Sequence, residues 1–186
     1  MILFADVFTN YNNPDTGMAV VRVFSKPGFP VTLSNAIDDG RGLLSQGMIS
    51  KAEEHARKLA VYLEKFIDDG KDIIVSEPSV LSMFRRDYKR LLDDDVLFQK
   101  IADHSFDPIE YFNTLIDNGK LDMGRHLKDD DSSCSHIFYH GHCQLKTIRG
   151  GKAAVEFFRR LGFDVEDPSA ECCGMAGSFG YKKQYL

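Results

Sequence analysis

"GMAVVRVFSKPGFPV", residues 17–31, lies over "GKAAVEFFRRLGFDV", residues 151–165, at a constant offset of 134 (Gly151 against Gly17) and without a gap. Gly17, Ala19, Val21, Phe24, Gly28, Phe29 and Val31 recur as Gly151, Ala153, Val155, Phe158, Gly162, Phe163 and Val165. Each copy carries apolar residues at helical spacing, then a glycine, then Phe-x-Val, which reads as helix, turn and strand. A shared amphipathic pattern does not by itself repeat glycines and Phe-x-Val at fixed positions. The chain therefore reads as an internal duplication. The first repeat is 1–122, and a second, C-terminally incomplete one is 123–186.

Working outward, Ile2–Val7, Val31–Ala36 and "DIIVSEP" (72–78) are short apolar runs. Helical patterns separate them. Gly17–Ser25 is one; Ser45–Asp68 is a longer one, with Ile49, Ala52, Ala56, Leu59, Ala60 and Leu63 on one face; "LSMFRRDYKRLL" (81–92) is a third. This alternation predicts an α/β fold, a parallel sheet flanked by helices on both faces. Ligands in such sheets gather at the carboxyl ends of the strands. Residues 93–119 read as two helices broken at "FDP" (106–108), and "KDDDSS" (128–133) as a polar linker. A strand at His136–His140 and a helix at Gly151–Leu161 follow.

A chain of 186 residues with 43% hydrophobic content supports one domain with a core, or two small halves sharing one. The net charge of −5 argues against nucleic acid as a partner. The basic pairs Arg85–Arg86 and Lys89–Arg90 read as the solvated face of a helix. No stretch approaches the roughly 20 apolar residues of a membrane span. "MILFADVFTNY" (1–11) lacks a charged region and a cleavage site and reads as a buried strand, so a cytoplasmic location is expected. There Cys134, Cys143, Cys172 and Cys173 are better read as metal ligands or free thiols than as disulfides.

The same offset sets Asp38-Asp39-Gly40 over Cys172-Cys173-Gly174, and Thr9 over Cys143. Each repeat then has a site in the same place, one loop after its first strand and one after its second. Only the second has thiols. Thiolates are what iron–sulfur clusters and zinc require. Paired cysteines reach two irons or chelate one, and Gly174 and Gly177 let the backbone wrap closely. His140 and His142 flank Cys143 and are candidates for a fourth ligand or a supporting hydrogen bond. Strand alternation would put both histidines on one face and Cys143 on the other. Cys134 reads as a bystander; His55, His104 and His126 show no partner in the sequence. "GRGLLSQG" (40–47) lacks the Lys-Ser/Thr and GxGxxG spacings of nucleotide loops. "GSFG" (177–180) lacks the context of a nucleophile elbow. A nucleophilic cysteine would leave its neighbour redundant.

"YHGHCQLK" (139–146) followed by "CCGMAGSFGY" (172–181) resembles the CCG, or cysteine-rich, domain family. That family includes the cysteine-rich subunit of heterodisulfide reductase, the iron–sulfur parts of FAD-linked glycolate and D-lactate oxidising enzymes, and the anaerobic glycerol-3-phosphate dehydrogenase. "FTNY" (8–11), "DDGRGLLSQG" (38–47) and "EPSV" (77–80) extend the resemblance through the first half. There Asp38, Asp39 and Val80 stand where the family has cysteines. The two aspartates are either hard-cation ligands or plain loop residues.

The resemblance implies a [4Fe–4S] cluster on Cys143, Cys172 and Cys173, with Gly174 in its loop; His142, from its chemistry and position, is the candidate for a further metal donor. The resemblance also implies electron transfer for an FAD-binding dehydrogenase domain or subunit acting on a 2-hydroxy acid such as glycolate or lactate. The counterpart of Val80 in the second repeat falls beyond Leu186, so either a piece of a longer protein or a naturally decayed gene product is expected, without dehydrogenase activity of its own. Structural zinc on the same thiols and a metal-free scaffold are the alternatives. An apolar patch left by the truncation would favour a homodimer.

Overall fold

The computed structural model describes residues 1–122 and 136–168, together with Lys183. Four very short parallel strands form the main sheet: β1 (Ile2–Leu3), β2 (Thr32–Leu33), β3 (Ile73–Ile74) and β4 (Ser105–Phe106), in the order β2-β1-β3-β4. Ile2 pairs with both Thr32 and Ile73, and Ile73 pairs with Ser105. Between the strands run α1 (Pro14–Ser25), α2 (Arg41–Ser45), α3 (Ile49–Asp68), α4 (Pro78–Ser82), α5 (Tyr88–Leu91) and α6 (Asp95–Asp103), and α7 (Pro108–Asp117) follows β4. This is the α/β architecture that the sequence predicts.

Alternation along the strands divides the interior into two cores. Ile2, Phe4, Ile73 and Val75 face one core, with Ala52, Ala56, Leu59, Leu63, Phe84 and Ile101 from α3 to α6. Leu3 and Ile74 face the other, with Phe24 of α1 and Phe112 and Leu115 of α7. Phe24 and Phe112 stack with centroids 4.2 Å apart. The connection through α1 moves outward to β2, and the one through α3 crosses back over β1 to β3. Right-handed crossovers in opposite directions put their helices on opposite faces.

The amino ends of the strands are tied together by Asp72, just before β3. Its carbonyl accepts from the Ile2 N–H at 2.9 Å. Its carboxylate accepts from the Tyr111 hydroxyl at 2.9 Å and meets His104 Nδ1 at 2.8 Å. Burial first, and then this acidic partner, push the Tyr111 phenol well above its ordinary range.

A second, two-stranded parallel pair joins β5 (His136–Phe138) and β6 (Asp164–Glu166), with α8 (Cys143–Thr147) and α9 (Ala153–Arg160) between them. Ile2 pairs with Thr32, whereas His136 pairs with Asp164, two residues closer along the chain. A slip of two keeps every side chain on its face, where a slip of one would invert them all. Phe157 of α9 packs on Phe112, and Asn113 Nδ2 donates to the Ala153 carbonyl at 2.8 Å. Leu145 of α8 reaches the other core.

Five expectations need correction. Residues 1–11 are not one buried strand, because β1 ends at Leu3 and the chain turns into a π-helical segment at Phe8–Asn12, with Val7, Phe8 and Tyr11 exposed. Residues 93–119 are not two helices alone, because Ser105–Phe106 forms an edge strand between them. Ile49 is 48% exposed, being the first residue of α3, before the chain has turned its apolar face inward. Arg85 is not on a solvated face. Its side chain is 11% exposed and donates to the Ser105 carbonyl and to Glu110 Oε2 at 2.7 Å, joining β4 to α7. His55 and His104, which had no partner in the sequence, face Asp38 and Asp72.

Candidate functional site

Among the described residues, the loops singled out from the sequence lie at the carboxyl ends of strands. After β1 the chain makes a π-helical turn, Phe8–Asn12. The buried Asp6 just before it accepts from the Thr9 N–H at 2.9 Å and from the Thr9 hydroxyl at 2.5 Å. After β2, the Ser34 hydroxyl accepts from the Ala5 N–H at 2.9 Å. The chain then enters the Asp38-Asp39-Gly40 loop. Gly40 sits at φ +85°, and a Cβ there would come within 3.1 Å of the Ala52 carbonyl, so close approach to α3 requires glycine.

Asp38 Oδ1 accepts from the Gly40 N–H at 2.8 Å, and its other oxygen lies 3.4 Å from His55 Nδ1. Asp39 is 5% exposed; its Oδ1 accepts from the Arg41 N–H at 2.6 Å, and its carbonyl accepts from the Tyr88 hydroxyl at 3.0 Å. Burial raises the Asp39 carboxyl to about 6, the nearby Asp38 and Asp6 add to the rise, and the Arg41 N–H and guanidinium oppose it. Val80 lies in the core at 2% exposure.

This donor set does not fit an iron–sulfur cluster. Thr9, Asp38, Asp39 and Val80 offer oxygens or nothing, and the Thr9 hydroxyl and the Oδ1 atoms of both aspartates are engaged in local hydrogen bonds. Among the described residues, no three His, Cys, Asp or Glu side chains are grouped so as to hold a metal ion.

In the second unit, Cys143 is a half-buried free thiol at the first position of α8. Strand alternation does not govern its neighbours, because β5 ends at Phe138 and residues 139–142 are irregular. His142 is instead the N-cap of α8, its Nδ1 accepting from the Gln144 N–H at 3.1 Å. In a neutral ring this puts the proton on Nε2. His140 lies in the irregular stretch before it. Cys134, His126, Cys172, Cys173, Gly174 and Gly177 lie outside the described residues.

Cys143 opens onto a cavity of about 320 Å³ between α8 and the helices that follow β2 and β3. Its other walls include Arg41, Ser82, Arg86, Asp87 and Thr147. Arg41 NH1 pairs with Asp87 at 3.0 Å, and Arg86 NH1 donates to the Thr147 hydroxyl at 3.1 Å. The sequence reading missed this group, because its members come from three separate segments and share no spacing. The one local signal is that Arg41 directly follows the Asp38-Asp39-Gly40 loop.

The chain is similar along nearly all its length to parts of larger dehydrogenases. It is 25% identical over 185 residues to D-2-hydroxyglutarate dehydrogenase of Escherichia coli K12, covering 98% of this chain and 17% of that protein. It is 24% identical over 189 residues to the Haemophilus influenzae protein of that name, covering 99% and 18%. It is 26% identical over 184 residues to a subunit of the anaerobic glycerol-3-phosphate dehydrogenase of Escherichia coli K12, covering 97% and 44%. The chain thus spans less than half the length of these curated relatives. No family model matches it, and no solved structure does. Among the described residues, no helix is long and apolar enough to cross a membrane.

Proposed function

We propose that the chain is an electron-transfer, cysteine-rich part of an FAD-linked oxidoreductase acting on a 2-hydroxy acid. The observation that carries this reading is the similarity of almost the whole chain to one part of two differently named dehydrogenases. In this reading, residues 1–122 and 123–186 are two copies of one unit. The recurrence of a parallel strand pair joined by a helix supports that division. The first copy, with oxygen donors already engaged, holds no cluster.

In the second copy, Cys143, Cys172 and Cys173 hold a [4Fe–4S] cluster, with Gly174 giving the loop room. The cluster would supply one-electron exchange between a flavin, bound by a dehydrogenase domain or subunit, and an acceptor. What this chain's own residues contribute is placement. The His142 cap fixes the start of α8, so Cys143 is presented at the carboxyl end of β5, on the wall shared with the first unit. His142 remains a further donor for the metal, at the cost of its Nε2 proton or its cap.

Anaerobic purification with iron, sulfide and zinc analysis, alongside an absorption spectrum, tests the proposal. Iron and sulfide near cluster stoichiometry, lost in a Cys172→Ser/Cys173→Ser variant, are expected. Zinc without sulfide would mean a structural site, and a metal-free chain with the same spectrum as that variant would mean a scaffold; either result sinks the electron-transfer reading.

A further inference from the structure

We propose that the outer face of α1 is a docking site for an amphipathic helix of a partner protein, one built on the pattern of α7. The inference rests on the two-copy reading of the chain and needs no metal. The copies agree closely where α1 and α9 end. Gly28 and Gly162 sit at φ +96° and +87°. The Phe29 N–H donates to the Phe24 carbonyl at 3.1 Å, and the Phe163 N–H to the Phe158 carbonyl at 3.1 Å. At the same offset, Ala19, Val23 and the C-cap Lys26 of α1 correspond to Ala153, Phe157 and Arg160 of α9. Residues spaced by four and then three share one helix face. In α9 that face is covered by α7. The Ala153 carbonyl accepts from Asn113 Nδ2 at 2.8 Å, the Phe157 ring meets Phe112 with centroids 5.8 Å apart, and Arg160 NH1 donates to Asp117 Oδ1 at 2.7 Å. In α1 the matching Val23 is 51% exposed, and no carboxylate among the described residues pairs with Lys26.

A second observation concerns the other flank of the covering helix. Phe112 also stacks on Phe24, which is fully buried. The counterpart of Phe24 in the second copy, Phe158, is only half-buried, and its ring partners among the described residues are Phe157 and Phe163. A helix with an aromatic ring in the place of Phe112 would therefore stack on Phe158 and cover Val23. A carboxylate five residues further along it, as Asp117 follows Phe112, would pair with Lys26. The apolar contact supplies affinity and the charge pair fixes register. A second copy of this chain cannot offer its own α7, because Phe112 is already held between Phe24 and Phe157.

The test is fluorescence anisotropy of a labelled peptide with the sequence of residues 106–121, titrated with the 186-residue chain. Saturable binding is expected. Val23 is exposed, so Val23→Asp should fold normally and weaken binding about tenfold or more. Lys26→Glu should weaken it as well, and a peptide carrying Asp117→Lys should restore binding to that variant. No saturable binding, or binding indifferent to both variants, would overturn the site. Self-association of the chain in sedimentation, abolished by Val23→Asp, would give the face to a second copy and overturn the partner assignment. Phe157→Ala separates this inference from the reading beneath it. Loss of the ring against Phe112 should lower the melting temperature by about 5 °C. An unchanged melting temperature would mean that the α7–α9 contact is no template and that the comparison between copies fails. A lowered one without peptide binding would remove the docking site alone.

Discussion

Replacing Asp39 with asparagine should make the protein more stable at neutral pH, although it removes a charge from a loop where the family resemblance places a ligand. The carboxyl is 5% exposed and raised from 3.8 to about 6, with burial as the largest cause. Its folded pKa exceeds its unfolded one, so between those values the folded state holds the extra proton. Stability from this group is full below about 4 and falls as pH rises through about 6. At pH 7 the ionised form therefore costs about 3 kcal/mol at most, at about 1.4 kcal/mol per unit. An asparagine side chain keeps an oxygen to accept the Arg41 N–H and carries no charge toward Asp6 and Asp38. A gain of about 1–3 kcal/mol at pH 7 is expected, or roughly 2–4 °C per kcal/mol in melting temperature for a chain of this length. The gain should vanish by about pH 4, where both proteins are neutral at this position. Urea denaturation of both proteins across pH 4 to 8 checks it. A loss of stability in Asp39→Asn, or a gain that does not change with pH, would falsify the account of a buried carboxyl strained by its surroundings.

Neighbouring arginines should behave oppositely. Arg85→Met, which leaves Glu110 without its partner and the Ser105 carbonyl without its donor, should cost about 3 kcal/mol. Arg86→Gln should stay within about 0.5 kcal/mol of the parent, and denaturation curves of the two variants decide it. Gly40→Ala should lose about 1–3 kcal/mol, because it combines a positive φ with a contact at 3.1 Å to the Ala52 backbone. Thermal melting measures that loss, and an unchanged melting temperature would mean that the loop is not pressed against α3.

The fold was largely legible because its signal is local. Ile2, Ile73 and Ile74 sit in short apolar runs, and Ala52, Ala56, Leu59, Ala60 and Leu63 mark one face of α3, so period alone separates strand from helix. The strand at Ser105–Phe106 was hidden because it is two residues long on the sheet edge, too short to show a period. Arg85 and Arg86 are adjacent and chemically identical, and only the position of Glu110 and Ser105 distinguishes them. The candidate site was legible at Cys143 and at Asp38-Asp39-Gly40 through their spacing. The cavity was not, since Arg41, Ser82, Arg86 and Thr147 meet only when α4 and α8 pack together.

The knot around Asp72 has a consequence for how such a chain can change over generations. Backbone and side chain of this one residue fasten β1, the end of α6 and α7 at the rim where the strands begin. The loops of the candidate site leave from the other rim. A substitution that empties or rewires a loop there leaves the fastening intact, so selection on chemistry and selection on foldability act on different residues. Asp38 and Asp39 can occupy a loop of this kind without the sheet coming apart, and the two rims are free to drift at different rates.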